Sequence, residues 1–386
     1  MIQLVVKNLF NHKLRFVLTV GSLAVAMFLL CVLQSLVVAL DAGVRAASSS
    51  RLIVQSAVSL FVSLPESYQG KISAVDGVEE TLKYQWFGGI YQDQSNFFAQ
   101  FAVDADKLLD VYHEMDIIDG SADDFIQKRT ACIVGEGLVK RFDWMVGDTI
   151  PIIGALFPRN DGAPWEFHLA GVYKSDSSNV DNNQLFFHFD YLRESLEGGS
   201  ASGPPGVGVY VLKTASGTDQ IETMAAVDGM FENGPQVVQT TTEAEFQAQF
   251  VSMVGNIPMF VSSIGGGVTI AVLLAVLNTM LMAGREQRRD IGILKALGFT
   301  DTNVATLMMG QSLVLVLLGG GLGIALAKGT SEILTGVLGT MFPGYTIAPS
   351  VMLGAAVLTL GIGLLAGIMP ALSARRLEVV DALRSN

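Results

Sequence analysis

Charge is scarce in this chain. Only 16% of its 386 residues are Asp, Glu, Lys or Arg, against 50% hydrophobic, a balance too apolar for an ordinary soluble protein of this length. Cysteine is nearly absent. Cys31 lies inside an apolar run and Cys132 in a polar region, so a bridge would have to join a bilayer-buried group to a solvated one, and both read as unpaired thiols. The four histidines (His12, His113, His168, His188) are scattered without metal-ligand spacing, so no metal site is expected. There is no phosphate-binding GxxxxGK[ST] loop, GxSxG elbow, HExxH or DxDxDG sequence, which removes the usual signs of a nucleotide site, a serine nucleophile, a zinc protease and a calcium loop. The acidic pairs Asp123–Asp124 and Glu79–Glu80 have nothing beside them to perturb their ionisation and read as solvated surface, so no catalytic residue is assigned.

What is present is four runs of the roughly 20 apolar residues that a bilayer crossing requires: 16–40, 258–284, 307–327 and 351–369. The first is longer than the core of a signal peptide, and Arg45 and Arg51 follow it without a clear cleavage site, so it is read as a span. The cores of the runs hold no Asp, Glu, Lys or Arg, which argues against a proton- or sodium-coupled carrier. Gln34, Asn278 and Gln311 suit interhelical hydrogen bonds, and the pairs Gly319/Gly323 and Gly363/Gly367 suit close helix packing. Gly265, Gly266 and Gly267 are placed to kink the second span or admit a neighbour.

Basic residues cluster before the first run (Lys7, Lys13, Arg15), after the second (Arg285, Arg288, Arg289, Lys295) and after the fourth (Arg375, Arg376, Arg384). By the positive-inside rule both termini and the second-to-third connection are cytoplasmic, and residues 41–257 lie outside. That segment carries 30 acidic and 13 basic residues, a net charge of −17, against −12 for the whole chain. It is too long for a loop and reads as a folded α+β domain. Strands are predicted at 51–62, 97–103, 130–134, 149–152, 167–172, 185–189 and 208–212, with helices at 67–74, 104–112, 137–142 and 218–228. Near its end Thr242 and Glu245 form a capping box, and Phe246, Phe250, Met253 and Ile257 recur on one helical face. The pattern fits either a stalk continuous with the second span or a separate helix broken at Gly255 and Pro258.

The most informative stretch is the second-to-third connection, 285–306. It runs REQRRDIGILKALG and then Thr300-Asp301-Thr302-Asn303, a short helix stopped at Gly298 and a polar cluster fit to cap the next helix. Ile291, Leu294 and Leu297 are expected to form an apolar face that needs a groove on a partner or a membrane surface.

This stretch resembles the "RR-E-IGILKALG" signature of the FtsX/MacB-like ABC permease family, with Asp290 where Glu is commoner. Residues 7–15 (KNLFNHKLR) look like that family's elbow helix. Residues 370–384 resemble its closing "P-A-x-x-A-A-R-x-x-P-V-E-A-L-R", with Val379 in place of Pro. In the outer segment, 132–138 (CIVGEGL), 146–150 (VGDTI) and 167–172 (FHLAGV) are similar to the MacB-type periplasmic core domain.

The resemblance implies a membrane α-helical protein with four transmembrane helices and an inserted α+β extracytoplasmic domain of MacB periplasmic core type. Its division is 1–15 elbow helix, 16–40 first span, 41–257 outer domain with stalk, 258–284 second span, 285–306 cytoplasmic coupling loop, 307–327 third span, 328–350 short outer loop, 351–369 fourth span and 370–386 cytoplasmic tail. It implies a permease in a bacterial inner membrane that works with an ABC ATP-binding subunit, which supplies ATP and Mg, and with a second permease copy or paralogue. Membrane lipid surrounds it, an adaptor protein joins where an outer membrane exists, and no nucleic acid is involved. Arg288, Arg289, Asp290, Ile291, Gly292, Leu294, Lys295 and Leu297 would form the ATPase-coupling surface. The function expected is ATP-driven efflux or mechanotransmission, exporting or extracting a hydrophobic or amphiphilic substrate. One alternative is activation of an extracellular cell-wall hydrolase, and another is an anchored binding protein without an ATPase.

Overall fold

A computed structural model describes residues 13–378 except 49, 95, 178, 254–256 and 339–344. Most of the elbow segment, residues 379–386 of the tail and the stalk junction therefore lie outside the described residues. The chain forms two compact units, one from 1–40 with 254–386 and the other from 41–253.

Helix α1 (Lys13–Ala46) leads into the second unit. That unit is an 11-stranded sheet made of β1 (Arg51–Ser56), β2 (Val78–Trp86), β3 (Gly89–Ile90), β4 (Ala99–Val103), β5 (Asp116–Gly120), β6 (Ala131–Gly135), β7 (Thr149–Gly154), β8 (Trp165–Lys174), β9 (Gln184–His188), β10 (Val209–Thr214) and β11 (Val238–Thr242). The order is β11-β1-β10-β2-β4-β9-β6-β8-β7-β3, with β5 on β8; β4–β9 and β6–β8 run parallel and the other pairs antiparallel. Helices α2 (Tyr68–Ile72), α3 (Leu108–Val111), α4 (Ala122–Gln127), α5 (Glu136–Phe142), α6 (Phe189–Glu197), α7 (Gln220–Met230) and α8 (Glu243–Met253) cover it.

Two cores, one on each face, explain the sequence pattern. Leu52, Val54, Cys132, Val134, Leu185, Phe187, Tyr210 and Leu212 pack on one face with α2, α5, α6 and α7. The residues between them, Ile53, Ile133, Phe186 and Val211, pack on the other with α3, α4 and α8. Central strands covered on both faces are continuously apolar rather than alternating, which is why β1, β6, β9 and β10 were legible. Strand β7, buried and exposed in strict alternation, covers one face only.

Several expectations need correction. The strand predicted over 51–62 stops at Ser56: the Val62 amide turns back to the Ser59 carbonyl, and Val58 and Phe61 are exposed. The helix predicted over 104–112 is shorter: 105–107 form a turn, with the Lys107 and Leu108 amides on the Asp104 carbonyl, and α3 covers only Leu108–Val111. Cys132 is not solvated but fully buried in β6; both cysteines are free. The capping box is formed, with the Thr242 amide donating to Glu245 (3.1 Å) and the Glu245 amide to Thr242 Oγ1 (3.2 Å). It also guards an edge. Strand β11 pairs with β1, and its Thr240 and Thr242 amides donate to Asp228 and Glu245, which closes donors that a sheet edge otherwise offers to another chain.

The first unit contains α1 and then α9 (Ile257–Glu286), α10 (Arg288–Ala296), α11 (Asp301–Gly329), α12 (Ser331–Leu338) and α13 (Pro349–Arg375). Four of them, α1, α9, α11 and α13, are long and apolar enough to cross a membrane. Their shared core includes Leu23, Met27, Cys31, Val276, Met280, Val316 and Ala366.

Candidate coupling site at the connection between α9 and α11

Helix α9 ends at Glu286, and Gln287 starts α10 without a side-chain cap. The helix stops where Gly298 takes φ +95°, with the Gly298 and Phe299 amides returning to the Lys295 and Leu294 carbonyls. Glycine suits this left-handed stop because it has no Cβ to clash. Thr300 then opens α11, its Oγ1 accepting from the Asn303 amide at 3.3 Å.

Helix α10 has two different sides. Ile291 is only 2% exposed and Gly292 is buried. Ile291 packs with Val304, Leu307, Met308, Ala371 and Ala374, and Leu294 packs half-buried against the same cluster. Arg288, Arg289, Asp290, Ile293 and Leu297 are exposed, Leu297 by 73%. The single apolar face expected of Ile291, Leu294 and Leu297 is therefore corrected. Ile291 and Leu297 lie about 120° apart around an α-helix; Ile291 and Leu294 fill a groove made by their own chain, while Leu297 stays exposed. The exposed stripe is Arg289–Ile293–Leu297, spaced i, i+4, i+8. Ile293 was missed although its spacing from Arg289 and Leu297 marks it.

Lys295 belongs to neither surface. Its side chain is 7% exposed, and Nζ lies 2.8 Å from Asp301 Oδ1, 2.9 Å from the Arg375 carbonyl and 2.8 Å from the Leu377 carbonyl. Next to α10, Arg15 makes a two-pronged ion pair with Glu286 (2.6 and 2.7 Å), and the amides of Gln287 and Gln311 exchange hydrogen bonds at 3.3 and 3.1 Å. Pro370, inside α13, sits 3.7 Å from where a Cβ on Gly284 of α9 would lie.

The four packing glycines fall at helix contacts. A Cβ on Gly319 would stand 2.6 Å from Leu23, and one on Gly323 2.4 Å from the Ala24 carbonyl, both on α1. Gly363 and Gly367 of α13 approach Leu313, Met309 and Ser312 of α11, where the Ser312 hydroxyl donates to the Gly363 carbonyl at 2.8 Å. Gly265 of α9 meets Leu30 and Gln34 of α1, while Gly266 and Gly267 face open space. Asn278 lies on the exposed side of α9.

A second charged cluster, in the inserted domain, was not anticipated. Arg51, the first residue of β1, has no exposed side chain. Its guanidinium donates to both Glu114 oxygens (2.9 and 2.8 Å), to Glu243 Oε2 (3.1 Å) and to the Val111 carbonyl (3.1 Å), and lies 4.4 Å over the Tyr112 ring. Glu243 opens α8 and also accepts the Ser48 amide at 2.7 Å. The cluster thus fastens the segment entering the domain to the helix leaving it. Burial disfavours the Glu114 carboxylate, but hydrogen bonds from Arg51 outweigh it and hold the carboxyl below the usual range. Glu80 pairs with Lys107 and Asp124 with Lys128. Among the described residues, no group of three His, Cys, Asp or Glu side chains is arranged to hold a metal.

Residues 16–230, more than half the chain, match the MacB-like periplasmic core domain, and residues 262–379 match the FtsX-like permease C-terminal region. The chain belongs to the FtsX/MacB-like ABC transporter permeases. An ABC transporter permease of Methanocaldococcus jannaschii, MJ1507, is 26% identical over 330 residues, spanning 81% of this chain and 77% of that protein. The macrolide export ATP-binding/permease protein MacB of Sodalis glossinidius is 31% identical over 135 residues, 35% of this chain but 19% of that longer one. The periplasmic region of MacB from Actinobacillus actinomycetemcomitans aligns over 54% of this chain and 95% of its own, at 12% identity and a TM-score of 0.39. The permease is thus a multi-pass membrane protein with an inserted core domain of MacB type.

Proposed function

We propose that this permease docks a separate ATP-binding subunit through the exposed side of α10 and passes the motion of ATP hydrolysis to its inserted domain, which exports or extracts a hydrophobic or amphiphilic substrate. The observation that carries the reading is the stripe Arg289–Ile293–Leu297, flanked by Arg288 and Asp290, on a helix whose opposite side is fixed by Ile291 and Leu294. A short helix with cations, an anion and two unshielded aliphatic side chains suits a protein groove. ATP and Mg are held by the partner. In this reading α10 and both termini are cytoplasmic and the acidic domain lies outside the inner membrane, an orientation supported by the basic flanks, and the permease works as a pair of copies or paralogues. Export is favoured over hydrolase activation by the relative whose name describes macrolide export.

The test is affinity purification of the tagged chain in mild detergent beside Ile293→Asp and Leu297→Asp, followed by mass spectrometry of partners. An ATP-binding subunit should accompany wild type and be depleted at least tenfold from the variants, about 1.4 kcal/mol of binding. Equal recovery from all three would place docking elsewhere. Leu294→Asp is a poor probe, since it breaks packing inside the permease.

A further inference from the structure

Lys295 lies within the docking segment yet its ammonium is turned away from the docking face. Its three N–H donors meet three acceptors: the Asp301 carboxylate in the first turn of α11, the Arg375 carbonyl at the end of α13 and the Leu377 carbonyl just beyond that helix. The last carbonyls of a helix have no partner inside it and carry the negative end of its dipole, so the ammonium satisfies an Arg375 carbonyl that nothing within α13 can. Asp301, at the positive end of α11, balances the charge. The acceptors come from different directions, which suits the diverging donors of an ammonium better than a flat guanidinium fork. Below this contact lies the cluster of Ile291, Val304, Met308, Ala371 and Ala374. On the other side, α10 joins α9 through Gln287, an uncapped residue whose amide is paired with Gln311.

We infer that Lys295 is a latch, a positioning residue that fixes α10 to the start of α11 and the end of α13, so that a push on α10 moves these three elements as one block. The inference rests on α10 being the docked helix. Lys295 itself does not touch the partner.

The test places spin labels at Ala296→Cys and Arg376→Cys, both exposed, in a Cys31→Ala/Cys132→Ala background, and measures their separation by double electron–electron resonance. The full permease is used alone and then with its ATP-binding subunit, with and without a non-hydrolysed ATP analogue. With Lys295 present, one narrow distance population persists in all three states. Lys295→Met shifts and broadens it, while the ATP-binding subunit still co-purifies because the docking stripe is intact. Asp301→Asn, which leaves the lysine stem packed, broadens it to a smaller degree. An unchanged distribution in both variants, or a wild-type distance that changes when the ATP analogue binds, overturns the latch. Failure of the subunit to co-purify with wild type would instead sink the docking reading, and the comparison on the permease alone would still decide the latch.

Discussion

Arg51 is a full charge with no contact with water, answered by Glu114 and by Glu243, whose side chain is 4% exposed. Removing one member of such a buried group strands the others without compensation, which costs about 3–5 kcal/mol. Arg51→Met should destabilise the inserted domain by that amount. The protein's three tryptophans, Trp86, Trp144 and Trp165, all lie there, so their fluorescence during denaturation of the purified full chain reports its unfolding; a change below 1 kcal/mol would contradict the reading. Glu114 adds a pH dependence with a definite sign. Its folded pKa lies below the ordinary 4.5, so its contribution is complete above pH 4.5 and is lost as the pH falls through the lowered value. The stability gap between wild type and Glu114→Gln should therefore be constant from pH 7 to 5 and close on further acidification; a gap that widens with acid would refute it. None of this was legible beforehand. Arg51 looks in sequence like a polar strand start, and its partners lie 63 and 192 residues away, a separation at which no local pattern pairs residues.

At the scale of elements, the membrane helices meet through missing side chains. Gly323 faces a carbonyl of α1, which cannot rotate aside as a side chain can, whereas Gly266 faces nothing. Gly323→Ala should force α1 and α11 apart and lower the thermal midpoint of the detergent-purified permease by several degrees, on the order of 1–3 kcal/mol of overpacking. Gly266→Ala should leave the midpoint within error. Equal effects of the two would mean that α1 does not pack on α11 through this glycine. Elements whose signal is local were readable: the four long apolar helices, the doubly buried strands and the Thr242/Glu245 cap. Strand β2 was missed because Glu79, Glu80 and Lys83 make it look like surface. Strand β5 is largely exposed and exists through its pairing with β8, a long-range partner that no window of sequence contains. Helix α10 was legible as a helix. Its faces were misjudged because Ile291 and Leu294 are covered by α11 and α13 of the same chain, partners that the local sequence does not reveal.

For the whole molecule, the division of charge follows the division of structure. The 30 acidic residues between 41 and 257 belong to the inserted domain, and the rest of the chain is net basic, with 11 Lys and Arg against 6 Asp and Glu. The connection between α9 and α11 is basic, and its outward stripe of Arg289, Ile293 and Leu297 is the surface on which the proposed coupling depends. The most direct measurement is site-specific photo-cross-linking in cells, with a photoreactive residue placed in turn at Ile293, Leu297 and Ile291. The account predicts adducts with an ATP-binding subunit from positions 293 and 297 and none from the buried position 291. Adducts absent from 293 and 297, or equally strong from 291, would contradict it.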